Sequence, residues 1–209
     1  MSSHDPEQSD TADELDIIEF QSPGRFMIEN PAALTTTSEP WLPASCVLGG
    51  TNAAQSFDDI NDARAHALAM IGQARRSLCI YTPDLEPRLY DHSSIQQVCT
   101  RFLLAHPRNR LRILISEPAR ALRSGHRLIT LARRLTSNLH IRRRHPDYPA
   151  QTSTFLIADD CGLMIRSDAD QFVGHALYQH PGRARQQQRS FDIAWDHSLS
   201  DPELRSFLL

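Results

Sequence analysis

The sequence predicts an α/β domain over residues 53–209, a mixed sheet flanked by helices, behind an acidic, extended or disordered tail over residues 1–52. Three observations predict it. Helix-period apolar patterns alternate with short apolar runs between Ser56 and Arg142, as expected for parallel strands joined by right-handed crossovers. A hairpin signal follows, with residues 155–158 and 163–166 on either side of Asp159-Asp160-Cys161-Gly162, which adds antiparallel pairing to the same sheet. Charge also changes along the chain. Residues 1–55 carry nine acidic residues against one arginine, Arg25, whereas residues 56–209 carry 21 arginines against 16 acids.

Taken in order, residues 1–15 hold almost nothing to bury and read as disordered. Two apolar runs, Ile17-Ile18-Glu19-Phe20 and Phe26-Met27-Ile28, sit among Pro23, Pro31, Pro40 and Pro43, which suggests an extended segment with at most one hairpin, draped on the domain. The first helix starts at a capping-box-like Ser56 and Asp59 and buries Phe57, Ile60, Ala63, Ala67 and Ile71. A strand over 77–82 stops at Pro83, and 83–92 read as a loop. Ser93 or Ser94 caps a helix to about residue 105, with Ile95, Val98, Phe102 and Leu103 inward. The strand over 110–116 alternates Leu111, Ile113 and Ile115, and Pro118 suits the first turn of one helix running to about residue 135. A third strand over 138–142, the hairpin, a strand over 172–178 and a helix over 181–197 carrying Phe191, Ala194 and Trp195 complete the order.

All 22 basic residues are arginine. No Schiff-base lysine, lysine general base or phosphate-loop lysine can be built, so any anion binding falls to arginine. The four cysteines, Cys46, Cys79, Cys99 and Cys161, fit neither zinc spacing nor a disulfide framework. No apolar run approaches the ~18–20 residues of a membrane span, and the N-terminus lacks a signal-peptide pattern, so a cytoplasmic location is expected. The ten histidines are scattered, so neither a metal nor another cofactor is expected.

The run from Ser77 to His197 resembles one half of the phospholipase D fold. That family's strand carries His-x-Lys-x-x-x-x-Asp. Here Thr152 falls at the histidine position, Thr154 at the lysine position and Asp159 at the aspartate position. The resemblance implies the fold, and it implies a pseudoenzyme, because threonine is neither a nitrogen nucleophile nor a cation. A closer resemblance is to an uncharacterised bacterial family, a degenerate relative of that fold often fused to acetyltransferases. It rests on Gln73-Ala-Arg-Arg-Ser-Leu-Cys-Ile-Tyr81, Asp84-Leu-Glu-Pro-Arg-Leu-Tyr90, Gly125-His-Arg-Leu128, Leu156-Ile-Ala-Asp-Asp160 and Asp201-Pro-Glu-Leu-Arg205. Relatives with a single motif commonly pair, which implies a homodimer.

Candidate ligand residues follow from position. His140, Arg142, Arg143 and Arg144 end the third strand, where ligands bind in open α/β sheets and where arginine can clamp an anion; a polar loop is the alternative reading. Tyr81 and Asp84 are expected at the neighbouring strand end. Arg120, Arg123, Arg127 and Arg134 share a face of the predicted helix, either as a phosphate-touching stripe or as its solvated side. Arg166 is a further candidate for the same cleft. Asp159-Asp160 reads as turn chemistry or as a carboxylate pair. The leading expectation is a non-catalytic module, with no catalytic residues, that binds a phosphate-bearing ligand such as nucleic acid. The alternatives are a regulatory protein-interaction module using the acidic tail, and a cryptic hydrolase built on Asp159 with His140 or His175.

Overall fold

The computed structural model describes residues 39–50, 53–148 and 152–205. The readings made for residues 1–38, including the apolar runs at Ile17 and Phe26, lie outside the described residues. Within them the α/β expectation holds. The elements are β1 (Gln55–Phe57), α1 (Ile60–Gln73), β2 (Ser77–Thr82), α2 (Pro87–Tyr90), α3 (Ser93–Ala105), β3 (Arg110–Ile115), α4 (Pro118–Arg123), α5 (Arg127–Arg134), β4 (Leu139–Arg143), β5 (Thr154–Ala158), β6 (Gly162–Arg166), β7 (Gly174–Leu177), α6 (Pro181–Asp196) and α7 (Pro202–Arg205).

Seven strands form one mixed sheet in the order β1-β7-β6-β5-β2-β3-β4. β2, β3 and β4 are parallel, while β5, β6, β7 and β1 add antiparallel pairs. One face packs Leu78, Ile80, Leu111, Ile113, Leu156 and Met164 against α1, α3 and α5. The other packs Cys79, Tyr81, Leu114, Phe155, Ile157 and Leu163 against Ala184, Phe191, Ala194 and Trp195 of α6. Each fully buried Leu, Ile or Phe contributes about 1.5–3 kcal/mol, so the two clusters together set the fold. α6 lies over β2, β5 and β6. The same face of β3 and β4 is therefore left at the flank of α6.

Several element readings are corrected. Ser56 does not start α1: residues 55–57 pair with β7, and Asp59 is the N-cap, its carboxylate accepting from the Asn61 and Asp62 N–H groups. His92 rather than Ser93 or Ser94 caps α3, its Nδ1 accepting from Ser94 N–H. The loop over 83–92 contains the single turn α2, the last strand is shorter than expected, and α7 had no helical period long enough to read. The single helix expected over 118–135 is two. Gly125, at φ +65°, ends α4, and His126 Nδ1 caps α5. Glycine takes the left-handed region at no steric cost, and this ends the first helix where apolar periodicity alone runs through.

Residues 39–50, assigned to the tail by composition, run along the α1–α3 side. Trp41 N–H donates to Ser94 Oγ at 3.1 Å, its ring stacks on His92 at 4.0 Å, and the Arg64 guanidinium lies 4.6 Å above it. Gln73 receives Leu48 N–H and donates to the Cys46 carbonyl, both at 2.9 Å.

Burial holds the His66, His92 and His126 imidazoles below their ordinary value of 6.5; at His92 the Arg127 and Arg64 cations add to it. The unfolded chain then binds more protons than the folded one below pH 6.5, so stability falls as pH drops through 6.5 toward the depressed folded values. Burial instead pushes the Glu86 carboxyl above its ordinary 4.5, which acts with the opposite sign and only in the acid range. Urea midpoints measured from pH 7.5 to 5.5 are expected to decline, and a His66→Gln variant to decline less steeply.

Candidate functional site

The C-terminal ends of β2 and β3 open into a cleft of about 380 Å³. Its floor is a buried ion pair between Arg166 and Glu86. Thr82 Oγ1 donates to Glu86 Oε1 at 2.9 Å, and Arg166 Nη2 donates to both Glu86 Oε2 and Thr154 Oγ1. Arg166 Nη1 donates to the Ala169 and Gln171 carbonyls at 3.2 and 2.9 Å. Phe172, held by the same loop, carries the Arg88 and Arg166 guanidiniums at 5.1 and 5.2 Å. Glu86 reaches this position through left-handed backbone at Leu85 (φ +67°) and Glu86 (φ +37°), a conformation that costs non-glycine residues about 1–3 kcal/mol each.

This chemistry differs from the anion clamp expected at the strand ends. Asp84, Glu86, Glu117 and Asp170 line the cleft beside Arg88 and Arg120. Arg120 pairs with Asp84 at 3.0 Å, and Arg166 is spent on Glu86. The cleft has no cationic excess. Arg120, Arg123 and Arg127 do not share a helix face, because the break at Gly125 separates them: Arg123 is exposed on α4, and Arg127 faces Asp91 at 3.7 Å from the start of α5. Tyr81, expected at the strand end, is buried and stacked on Phe155 at 5.2 Å, closed to a ligand. Arg144 turns into its own loop, donating to Ser116 Oγ and to the His145 and Tyr148 carbonyls. Arg143 is exposed, and its backbone pairs with Leu199.

The motif-aligned residues separate as well. Thr152 is exposed and Thr154 is buried against Arg166. Asp159, at the far end of β5, is about 17 Å along the strand from Thr154. Its carboxylate accepts the Arg75, Arg76 and Ser77 N–H groups at 2.7–3.2 Å and so fastens the start of β2. Asp159 sits at φ +53°, in the turn chemistry read from Asp-Asp-Cys-Gly.

What does converge is the part of the sheet at the flank of α6. Arg112 and His140 are register partners, as are Leu114 and Arg142, so Arg110, Arg112, His140 and Arg142 project from one face of β3 and β4. Contacts with α6 identify that face. The Arg112 guanidinium lies over Phe191 and Trp195 at 5.1 and 5.5 Å, and that of Arg142 lies over Trp195 at 4.6 Å. Asp192 takes one N–H of Arg112 at 2.8 Å, and Arg110 donates to the Pro107 carbonyl at 2.7 Å. Arg112 keeps 28% of its side chain exposed. At the C-terminal end of this row, Tyr148 and His197 face each other at 6.3 Å with rings splayed by 27°.

His140 and Arg142 were singled out from the sequence, but Arg110, Arg112, Tyr148, Trp195 and His197 were not. The signal was present: Leu111, Ile113 and Ile115 alternate with Arg110 and Arg112, and Leu139 and Ile141 with His140 and Arg142. Two adjacent parallel strands with that alternation place four basic residues on one face. The aromatic pair left no such signal, since its members stand 49 positions apart in the chain.

Residues 59–207 match the model of the Domain of unknown function (DUF7931). No curated protein matches the chain. Among solved structures, the phospholipase D family member Nuc from Salmonella typhimurium aligns at 17% identity and a TM-score of 0.53, over 74% of this chain and 99% of Nuc. NucT from Helicobacter pylori aligns at 10% and 0.53, over 71% and 99%. TrmBL2, an archaeal chromatin protein, aligns at 9% and 0.53, over 73% of this chain and 55% of its own. At these identities the likeness is one of fold, and the fold is phospholipase D-like.

Proposed function

We propose, for a chain that belongs to the DUF7931 family, that it is a non-catalytic module that binds phosphate-bearing polymer, nucleic acid above all, on the basic face of β3 and β4. The observation that carries this reading is the alignment of Arg110, Arg112, His140 and Arg142 on one face at the flank of α6, with Arg110 exposed and Arg112 and Arg142 partly exposed. Guanidiniums braced on aromatic rings and partly exposed are suited to phosphate contact. An open row rather than an enclosing pocket favours a polymer over a small phosphate. Threonines at two of the three motif positions, together with a floor sealed by Arg166 and Glu86, support binding without phosphodiester chemistry. TrmBL2, 55% of which aligns, is described as showing a novel mode of DNA binding; the likeness carries fold alone.

The test is binding of labelled oligonucleotides by fluorescence anisotropy across a salt series. Each phosphate contact contributes about −0.7 to −0.9 to the slope of log K against log salt. The Arg110→Gln, Arg142→Gln double variant is expected to lower the slope magnitude by roughly 1.5. Absence of binding at low salt, or a slope the double variant leaves unchanged, overturns the reading.

A further inference from the structure

We infer that the polymer on this face is single-stranded nucleic acid, with a base stacked on the Tyr148–His197 pair; this rests on the phosphate-binding reading above and specifies its ligand. Successive basic residues along β3 or β4 stand two positions apart, about 6.7 Å, which is comparable with the step between phosphates of an extended strand. At its C-terminal end the row meets exposed aromatic surface. His197 is exposed and Tyr148 half-buried, their ring centroids 6.3 Å apart against 4.0 Å in the closed Trp41–His92 stack. The pair is not closed on itself.

Both segments that carry the rings are tied by their backbone to the end of β4. Arg144 donates to the Tyr148 carbonyl from the end of β4. Leu199, two residues after His197, exchanges both backbone hydrogen bonds with Arg143 at 2.8 and 2.9 Å. His197 Nδ1 also lies 2.8 Å from the Ile193 carbonyl. Beside them Arg142 covers Trp195. Cations that track a backbone beside fixed aromatic rings are what a single strand requires, because its bases are free to turn out and stack. A duplex keeps its bases stacked inside, so it can use the arginines but not the rings.

The experiment compares oligo-dT with a mixed-sequence duplex in the same anisotropy assay, using the full chain and its Tyr148→Leu, Tyr148→Trp and His197→Ala variants. Leucine keeps the apolar packing of Tyr148 and removes its π face. Tyr148→Leu is expected to weaken oligo-dT binding about ten-fold, within the range measured for base–aromatic stacking, and to leave duplex binding unchanged. Tyr148→Trp should restore the single-strand affinity, and His197→Ala should lower it. Unchanged duplex binding serves as the folding control. If wild type binds both probes and Tyr148→Leu alters neither, or alters both equally, the stacking inference falls while the phosphate reading stands. If wild type binds neither probe at low salt, the phosphate reading itself falls.

Discussion

Replacing Arg166 with methionine is expected to destabilise the fold by about 3–5 kcal/mol, the usual cost of leaving one partner of a buried ion pair uncompensated. Arg166 and Glu86 have side chains only 2% and 7% exposed. With the guanidinium gone, the Glu86 carboxylate faces only Thr82, and the carbonyls of Ala169 and Gln171 lose their donor. The loop that carries Phe172 loses its anchor as well. Glu86 would then take up a proton at higher pH than in the wild type, so the deficit should shrink in acid. A second substitution makes the test sharper. Buried ion pairs replaced wholly by apolar groups of similar volume are often neutral or stabilising. The Arg166→Met, Glu86→Leu double variant should therefore recover most of the loss. Urea denaturation of the wild type, the two single variants and the double gives the coupling directly. A double variant that loses the sum of the two single losses would show that the pair is not the unit that holds the cleft floor.

This pair also marks where the sequence stopped being legible. The order of helices and strands was readable because periods of 3.6 and 2 alternate cleanly between residues 56 and 166. Arg166 was readable as a candidate arginine, but its partner was not. Glu86 comes within reach only through left-handed φ at two consecutive non-glycine residues, and no propensity signals that conformation. The helix break at Gly125 was missed for a related reason: apolar spacing continues across it, and a lone glycine in a helical pattern is compatible with either outcome. Its consequence reached the site, because the arginine stripe of one imagined helix became two unrelated surfaces. By contrast, strand alternation fixes side-chain direction without help from tertiary contacts, and it sets His140 and Arg142 on one face of β4, with His140 the second residue of the strand rather than at its end as expected.

Gly174→Ala is expected to cost about 3 kcal/mol or more, at or above the upper end of what overpacking costs, although it adds a single methyl group. Gly174 is the first residue of β7 and pairs with Phe57 of β1 on one side and Arg166 of β6 on the other. A Cβ there would fall inside contact distance of the Ile165 carbonyl oxygen, and 2.7 Å from both Arg166 Cγ and Phe57 Cζ. The nearest obstacle is backbone, which cannot swing aside as the tip of a side chain would. Moving it means shifting β6, and Arg166 sits on β6 over the ion pair. Phe57 is 3% exposed and packs beside His66 at 5.6 Å, so the other neighbour is also fixed. Glycine inside a strand usually marks such an approach of backbone or side chain. The strain has two outlets, β1 and the Arg166 floor, and the variants separate them. If the floor gives way, Gly174→Ala and Arg166→Met should be markedly non-additive, the double variant losing less than the sum of the singles. If β1 gives way instead, the two losses should add, and Phe57→Leu, by vacating the space of the ring, should restore part of the stability lost in Gly174→Ala. A loss under about 1 kcal/mol for Gly174→Ala would mean that neither neighbour is held as tightly as this packing requires.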